Sequence, residues 1–160
     1  MPTIQQQFLE IADKYKEVIA RVCSVYSSET SPFADLYQEV MINLWLGLDS
    51  WRGEAKLSTW IYRLAINSCI TWHRRNRRHS MNVPLDGAFD IPDNSDDSKS
   101  AELAELHNMI NRLGDFDKAL ITLWLDEKSY EEISGILGIS KTNVATRLNR
   151  IREKLSTMYK

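Results

Sequence analysis

From Met81 to about Ser98 the chain offers a folded core almost nothing to bury. Pro84, Gly87 and Pro92 interrupt the stretch, and Asp and Ser cluster between them. Such a composition cannot bury enough apolar surface to offset the entropy lost on ordering, so it reads as a flexible acidic linker. A linker at that place divides the 160 residues into two modules, residues 1–80 and 99–160, each with room for only a modest core. On both sides apolar residues recur at steps of three and four. The predicted architecture is all-α, two small helical domains joined by the linker.

In the first module, Phe8, Ile11, Tyr15, Val18, Val22 and Val25 predict one long amphipathic helix from Thr3 to about Tyr26. Ser27 to Pro32 breaks it, and Ser31 followed by Pro32 signals a new start. The second helix, about Phe33 to Leu48, carries two rows. Leu36, Val40 and Leu44 read as core, whereas Asp35, Gln38, Ile42 and Trp45 form a neighbouring row with Glu39 beside it. An apolar centre rimmed by polar groups is what a protein–protein contact needs. Trp45 as a core residue among surface carboxylates fits the same spacing, which leaves both readings open. Asp49 to Gly53 is a loop in which Gly53 permits an unusual backbone turn. Ser58 is placed to cap the helix that follows.

That third helix, ending near Ser80, mixes aromatics with arginines, and no acidic residue occurs between Glu54 and Asp86. Ile61, Leu64, Ala65, Ser68 and Trp72 form a stripe expected to face a core. Beside it run Trp60, Arg63, Asn67, Thr71, Arg74 and Arg78. A ring to stack on, an amide for a base edge and cations for phosphates together suit single-stranded nucleic acid, where stacking supplies roughly 1–3 kcal/mol per base. An amphipathic helix with a solvated arginine end carries the same pattern, so the stripe alone does not decide.

After the linker, Leu103, Leu106, Ile110 and Leu113 pattern a helix stopped at Gly114, with Asp115 as cap for the next, Phe116 to about Leu125. Ser129 followed by Glu132 is a capping box opening a short helix to Leu137. Gly138 ends it, Ser140 caps another, and Val144, Leu148, Ile151 and Leu155 give the last helix its core stripe. Caps, turn and periodicity agree on a helix-turn-helix, with a structural helical hairpin as the lesser alternative. Outside the stripe the last helix shows Lys141, Thr142, Thr146, Arg147, Asn149, Arg150, Arg152 and Lys154, with Glu153 its only acid. Arg grips guanine in a bidentate fashion, Asn reads adenine, and Lys and Thr serve phosphates. This module suits double-stranded DNA.

A net charge of −2 and a pI near 5.9 argue against plain electrostatic adhesion to nucleic acid. The charge is segregated instead: Lys56, Arg63, Arg74, Arg75, Arg77 and Arg78 precede a block of Asp86, Asp90, Asp93, Asp96 and Asp97. Basic faces with acid elsewhere fit contact with nucleic acid at chosen places. Cys23 and Cys69 lie in predicted helices without metal-ligand spacing, as in a reduced cytosolic protein. The N-terminus lacks a signal-peptide pattern, and no apolar run reaches transmembrane length, so neither export nor a membrane is expected. His73, His79 and His107 are scattered, without partners at metal spacing, so no metal, cofactor or catalytic constellation is expected. His73 and His79 read as surface groups or neighbours of phosphates.

Several of these stretches, taken in order, resemble one family. Asp35-Leu-Tyr-Gln-Glu-Val-Met-Ile-Asn-Leu-Trp45, Trp51-Arg-Gly-Glu54, Ser58-Thr-Trp-Ile-Tyr-Arg-Leu-Ala-Ile-Asn67 and Ser129-Tyr-Glu-Glu-Ile-Ser134 are similar to the extracytoplasmic-function group of the sigma-70 family, over nearly the whole chain. The resemblance implies a bacterial transcription initiation factor, not an enzyme, with sigma domain 2 in residues 1–80 and sigma domain 4 in residues 99–160. It implies that Asp35, Gln38, Glu39 and Trp45, with Ile42 of the same row, dock on the clamp helices of the polymerase β′ subunit. It implies that Asn67 and the Asp49–Lys56 loop capture a base flipped from the −10 element. Trp60, Tyr62 and Arg63 would support strand opening, and Arg74, Arg75, Arg77 and Arg78 would meet the backbone. Ala145, Thr146, Arg147, Asn149 and Arg150 hold the positions that read the −35 element, with Lys141 and Thr142 near phosphates.

Further partners implied are the polymerase β flap, promoter DNA and an anti-sigma factor. Three departures stand out. Ala145 replaces a residue that is often basic, Gly114 stands where a Leu-Pro pair commonly introduces domain 4, and no further domain is expected after Lys160. The rival reading is a stand-alone helix-turn-helix regulator, which leaves the Asp35–Trp45 row and the Trp60–Arg78 stripe without a task. A metal-dependent nucleic-acid-processing enzyme using Asp35 or Glu39, or a protein-only adaptor, is more remote.

Overall fold

The computed structural model describes residues 1–80 and 97–159, and side chains over residues 1–76 and 101–158. Every regular element among the described residues is helical: α1 Ile4–Lys14, α2 Lys16–Tyr26, α3 Phe33–Gly47, a 3-10 turn Leu48–Ser50, α4 Leu57–Ser80, α5 Asp97–Asn111, α6 Asp115–Leu125, α7 Tyr130–Leu137 and α8 Lys141–Tyr159. Residues 81–96, most of the predicted linker, lie outside the described residues.

The single helix expected over Thr3–Tyr26 is two. Tyr15 leaves helical geometry at φ −106°, ψ 13°, ending α1 and starting α2. The apolar steps run straight through Tyr15, which is why the spacing conceals the break. Burial divides there too: α2 sinks Ile19, Val22, Cys23 and Tyr26 into the core, whereas α1 buries Ile11 alone. With α3 and α4 supplying Leu36, Val40, Leu44, Ile61, Ala65 and Cys69, these form the first module's core. Cys23 and Cys69 are free thiols side by side in it. The Cys23 thiol, then burial, pushes the Cys69 pKa well up, so Cys69 stays protonated.

Several expected caps are absent. Ser31 is buried, pairing its backbone with Ser28, and α3 starts without a side-chain cap. Ser58 lies inside α4, and Gly114 holds the N-cap position of α6 while Asp115 is its first residue. Gly114 has φ −66°, so it is no left-handed stop for α5. Gly53 does use the left-handed region, at φ 78°.

The helix-turn-helix follows expectation closely. The Glu132 amide donates to Ser129 Oγ at 3.1 Å, and the Ser129 amide donates back to the Glu132 carboxylate at 3.4 Å. Gly138 ends α7 at φ 72°, and the Asn143 amide donates to Ser140 Oγ at 3.1 Å to open α8. The Ser129 amide and then its hydroxyl hold the Glu132 carboxyl below its ordinary pKa. That contribution to stability is therefore present above the unfolded carboxylate pKa and fades as pH falls through the folded one. Ser129→Ala should lower stability by about 1 kcal/mol in thermal or urea melts. An unchanged midpoint would mean that the box is ornamental.

Candidate nucleic-acid interface

On α3, Asp35, Gln38, Ile42 and Trp45 are exposed in one row, with Glu39 half-buried at its edge. Ile42 and Trp45 keep 45% and 42% of their surface, and neighbouring Leu46 keeps 69%. Trp45 is therefore not a core residue. Its ring stands edge-on to Phe8 of α1, centroids 5.4 Å apart and planes at 89°, which fixes its direction without burying it. The core reading of Trp45 does not hold, and a solvated row with apolar centres remains.

Beside this row a cleft of about 650 Å³ opens between α3 and α4, lined among others by Glu39, Asn43, Trp60, Arg63, Asn67 and Arg75. Asn43 Nδ2 donates to Ser68 Oγ at 2.8 Å, and that hydroxyl donates to the Leu64 carbonyl at 2.6 Å. Ser68 is thus buried with its polar group satisfied, and Asn43 presents an amide to the cleft. Asn43 is absent from the sequence-derived set. Its only signal is its place one turn after Glu39 on α3. The Trp60 ring lies 6.2 Å from that of Trp51 and packs on Gly47, where a Cβ would come within 3.3 Å of it. Gly47 is what lets the ring sit so close to α3. Arg75 forms an ion pair with Glu39 across the cleft, joining the two candidate faces. Asn67, Thr71 and Arg74 are exposed, whereas the side chains of Arg77 and Arg78 lie outside the described residues.

The buried face of α4 is wider than its predicted stripe, because Tyr62, Ile66, Cys69 and His73 are buried as well. His73 is neither a surface group nor a neighbour of phosphate. Its Nε2 donates to the Tyr26 carbonyl at 2.6 Å, and Nδ1 faces Ser31 Oγ at 3.4 Å. Tyr62 donates its hydroxyl proton to Asp126 Oδ2 at 2.7 Å, and burial, then this bond, pushes the phenol up to about 12. Arg63 donates from Nε to the Ile136 carbonyl at 3.0 Å and from Nη2 to the Gly135 carbonyl. Tyr62 is therefore not on an open surface, whereas Arg63 stays exposed and lines the cleft while its guanidinium reaches the second module.

On α8, Lys141, Thr142, Thr146, Asn149 and Arg150 are among the exposed polar residues, with Ala145 half-buried. Arg147 lies over the Phe116 ring at 4.8 Å and donates to Asn143 Oδ1 at 3.3 Å, so packing positions it. Lys141 pairs loosely with Glu131 at 3.8 Å. Among the described residues no cluster of His, Cys, Asp and Glu could hold a metal, and no helix is long and apolar enough to cross a membrane.

A family model described as Sigma-70 region 2 matches residues 11–79, and one described as Sigma-70, region 4 matches residues 103–155. The ECF RNA polymerase sigma factor SigW of Bacillus subtilis (strain 168) is 30% identical over 164 residues, spanning 94% of this chain and 88% of that protein. The RNA polymerase sigma factor YlaC of the same organism is 33% identical over 128 residues, spanning 76% and 73%. The ECF RNA polymerase sigma-E factor of Escherichia coli (strain K12) is 27% identical over 166 residues, spanning 94% and 85%. Among solved structures, the sigma factor RpoE of Bartonella quintana, in complex with the anti-sigma factor NepR, superposes with a TM-score of 0.71 at 20% identity, covering 97% of this chain and 95% of that one. CnrH, in complex with the cytosolic domain of CnrY, gives 0.68 at 20% identity, covering 97% and 88%. At that identity the likeness shows the fold.

Proposed function

The chain belongs to the extracytoplasmic-function group of RNA polymerase sigma factors, and from that premise we propose how its faces divide the work of starting transcription. It binds core RNA polymerase and directs it to promoters. We assign residues 1–80 to sigma domain 2, residues 81–98 to the linker and residues 99–160 to sigma domain 4. The α3 row of Asp35, Gln38, Ile42 and Trp45, with Glu39, docks on the β′ clamp helices, and domain 4 also meets the β flap. An anti-sigma factor is the expected antagonist, in keeping with the complexes of the two structural neighbours. The setting is cytoplasmic.

One observation supports this division more than any other. The exposed apolar row and the cleft holding Trp60 and Asn67 adjoin on the same two helices, linked by the Glu39–Arg75 pair. A partner bound on the row would therefore sit beside a strand entering the cleft. Extruding a base costs a few kcal/mol, which stacking and a polar pocket offset once polymerase holds both promoter elements at fixed spacing. Trp60 supplies the ring, Asn67 an amide with both donor and acceptor, and Arg74, Arg75, Arg77 and Arg78 the phosphate contacts. In domain 4, α8 enters the −35 major groove, where Thr146, Arg147, Asn149 and Arg150 read bases and Lys141 and Thr142 meet phosphates. Ala145 has no basic side chain to offer, so the contact often made from that position is missing or replaced here.

Transcription in vitro with core polymerase on a promoter library tests the whole reading. The expected result is initiation that depends on this chain and selects paired −35 and −10 motifs. A duplex shifted equally well without polymerase, and no initiation with it, would favour the stand-alone regulator. On the same library Arg150→Ala should cost about 1–3 kcal/mol and relax preference at one −35 position. An unaltered −35 profile would remove Arg150 from the base-reading set.

A further inference from the structure

Asn43 is half-buried on the α3 wall of the cleft, and Asn67 is exposed on its α4 wall. Asn43 finds its partner in Ser68, the residue after Asn67, with Nδ2 donating to Ser68 Oγ at 2.8 Å. The direction of that bond is fixed by the hydroxyl. Ser68 has a single proton to give, and it goes to the Leu64 carbonyl at 2.6 Å, one turn back in α4. Towards Asn43 the hydroxyl can therefore only accept. The amide nitrogen must face Ser68, which turns the amide oxygen away from it. Ser68 is buried, yet its polar group is already paired through Leu64 and does not need Asn43. The dependence runs the other way: an anchored hydroxyl holds the Asn43 amide in one orientation.

A primary amide has two N–H donors and an acceptor oxygen, and here one donor is used. Among the described residues the second N–H and the oxygen of Asn43 have no partner. Charged neighbours in the cleft are engaged elsewhere, Glu39 with Arg75 and Arg63 with the carbonyls of Gly135 and Ile136. An acceptor oxygen repels phosphate, so the strand's backbone is not what Asn43 fits. A donor and an acceptor on adjacent atoms fit the edge of a base, as when Asn pairs with adenine. The cleft's volume of about 650 Å³ is in the range of sites that enclose a group of that size. We propose that Asn43 is a second base-reading residue of the −10 cleft, acting from the α3 wall, with Ser68 as its positioning residue. The proposal rests on the assignment of this cleft to the unpaired −10 strand given above. Held in one orientation, the amide loses little entropy when a base arrives. A fixed oxygen also disfavours an edge that offers only acceptors, which sharpens selection.

Transcription in vitro by core polymerase with the full chain, read as base preference across the −10 region of a promoter library, tests this beside Asn67→Ala. Asn43→Ala should relax preference at one −10 position by about tenfold, within the range for loss of a bidentate base contact. Asn43→Asp replaces the free donor with an acceptor. It should move preference at that same position towards cytosine, from whose amino group a carboxylate accepts. Ser68→Ala keeps the amide but frees it to turn, and should relax the same position by less. Melting curves accompany all three. Asn43→Asp leaves the Ser68 hydroxyl an acceptor on either side, so it covers the case in which Asn43→Ala misfolds. A folded Asn43→Ala chain that lowers initiation from all promoters alike, with −10 preference intact, would show that the amide merely braces α3 against α4 and would overturn the proposal. If Asn67→Ala relaxes its position while neither Asn43 variant alters any, the Asn43 assignment alone falls. If Asn67→Ala also leaves every −10 preference intact, the cleft is not the base site, and the functional reading of the cleft falls with the proposal.

Discussion

Trp45→Ala should weaken core polymerase binding by at least about 2 kcal/mol, roughly thirtyfold, if the ring is the anchor of the α3 row. The ring is suited to that task because it keeps 42% of its surface in the free chain and is held in direction by Phe8. A half-solvated, pre-oriented indole loses little entropy on docking and still has apolar area to bury. Its exposure also separates binding from folding. Truncating a fully buried aromatic leaves a cavity costing several kcal/mol, whereas Trp45 faces solvent on one side, so the melting midpoint should fall far less. Ile42→Ala, at 45% exposure, should weaken polymerase less and leave folding nearly unchanged. Competition for core polymerase against a labelled sigma factor measures both. A folded Trp45→Ala chain with undiminished affinity would show that the row is not the docking face.

The second large effect belongs to Asn67. It lies one turn beyond Arg63 and two beyond Trp60 on the cleft side of α4, and it is exposed. An amide whose only task is to meet water can become Ala at no cost, with a small gain from helix propensity. Asn67→Ala should therefore fold and bind polymerase normally. It should nevertheless lose discrimination at one −10 position and open linear duplex poorly. Part of the lost activity should return on a template mismatched across the −10 region, because the cost of separating the strands has been removed. Equal loss on duplex and mismatched templates, with base preference intact, would place Asn67 outside the base pocket.

How far spacing reveals such sites depends on where each side chain finds its partner. The helix-turn-helix is legible because its signals are local: Ser129 meets Glu132, Ser140 meets Asn143, and Gly138 alone in that turn needs a left-handed backbone. The docking row is legible because exposure of Ile42 beside buried Leu44 and Val40 follows from helical period. Tyr62 and His73 are not, since each is buried by a group far along the chain, Asp126 for one and the Tyr26 carbonyl for the other. Asn43 escapes for a similar reason. It reads as an unremarkable polar position until α4 brings Ser68 against it. Caps fail where the sequence offers two adjacent candidates. Gly114 and Asp115 compete for one helix start, and the backbone settles on the residue without a side chain.

The break at Tyr15 has a bearing on cooperativity. A continuous helix would tie its first residues to Ile19, Val22 and Tyr26, and to lose its start would be to begin losing the core. Since α1 buries Ile11 alone and ends at Tyr15, it is a subunit of stability in its own right, free to fray while α2 stays seated. Among the residues it touches when seated is Trp45. Damage to α1, whether by a protease cut near Tyr15 or by a substitution at Phe8, therefore falls on recognition of the partner more than on survival of the fold.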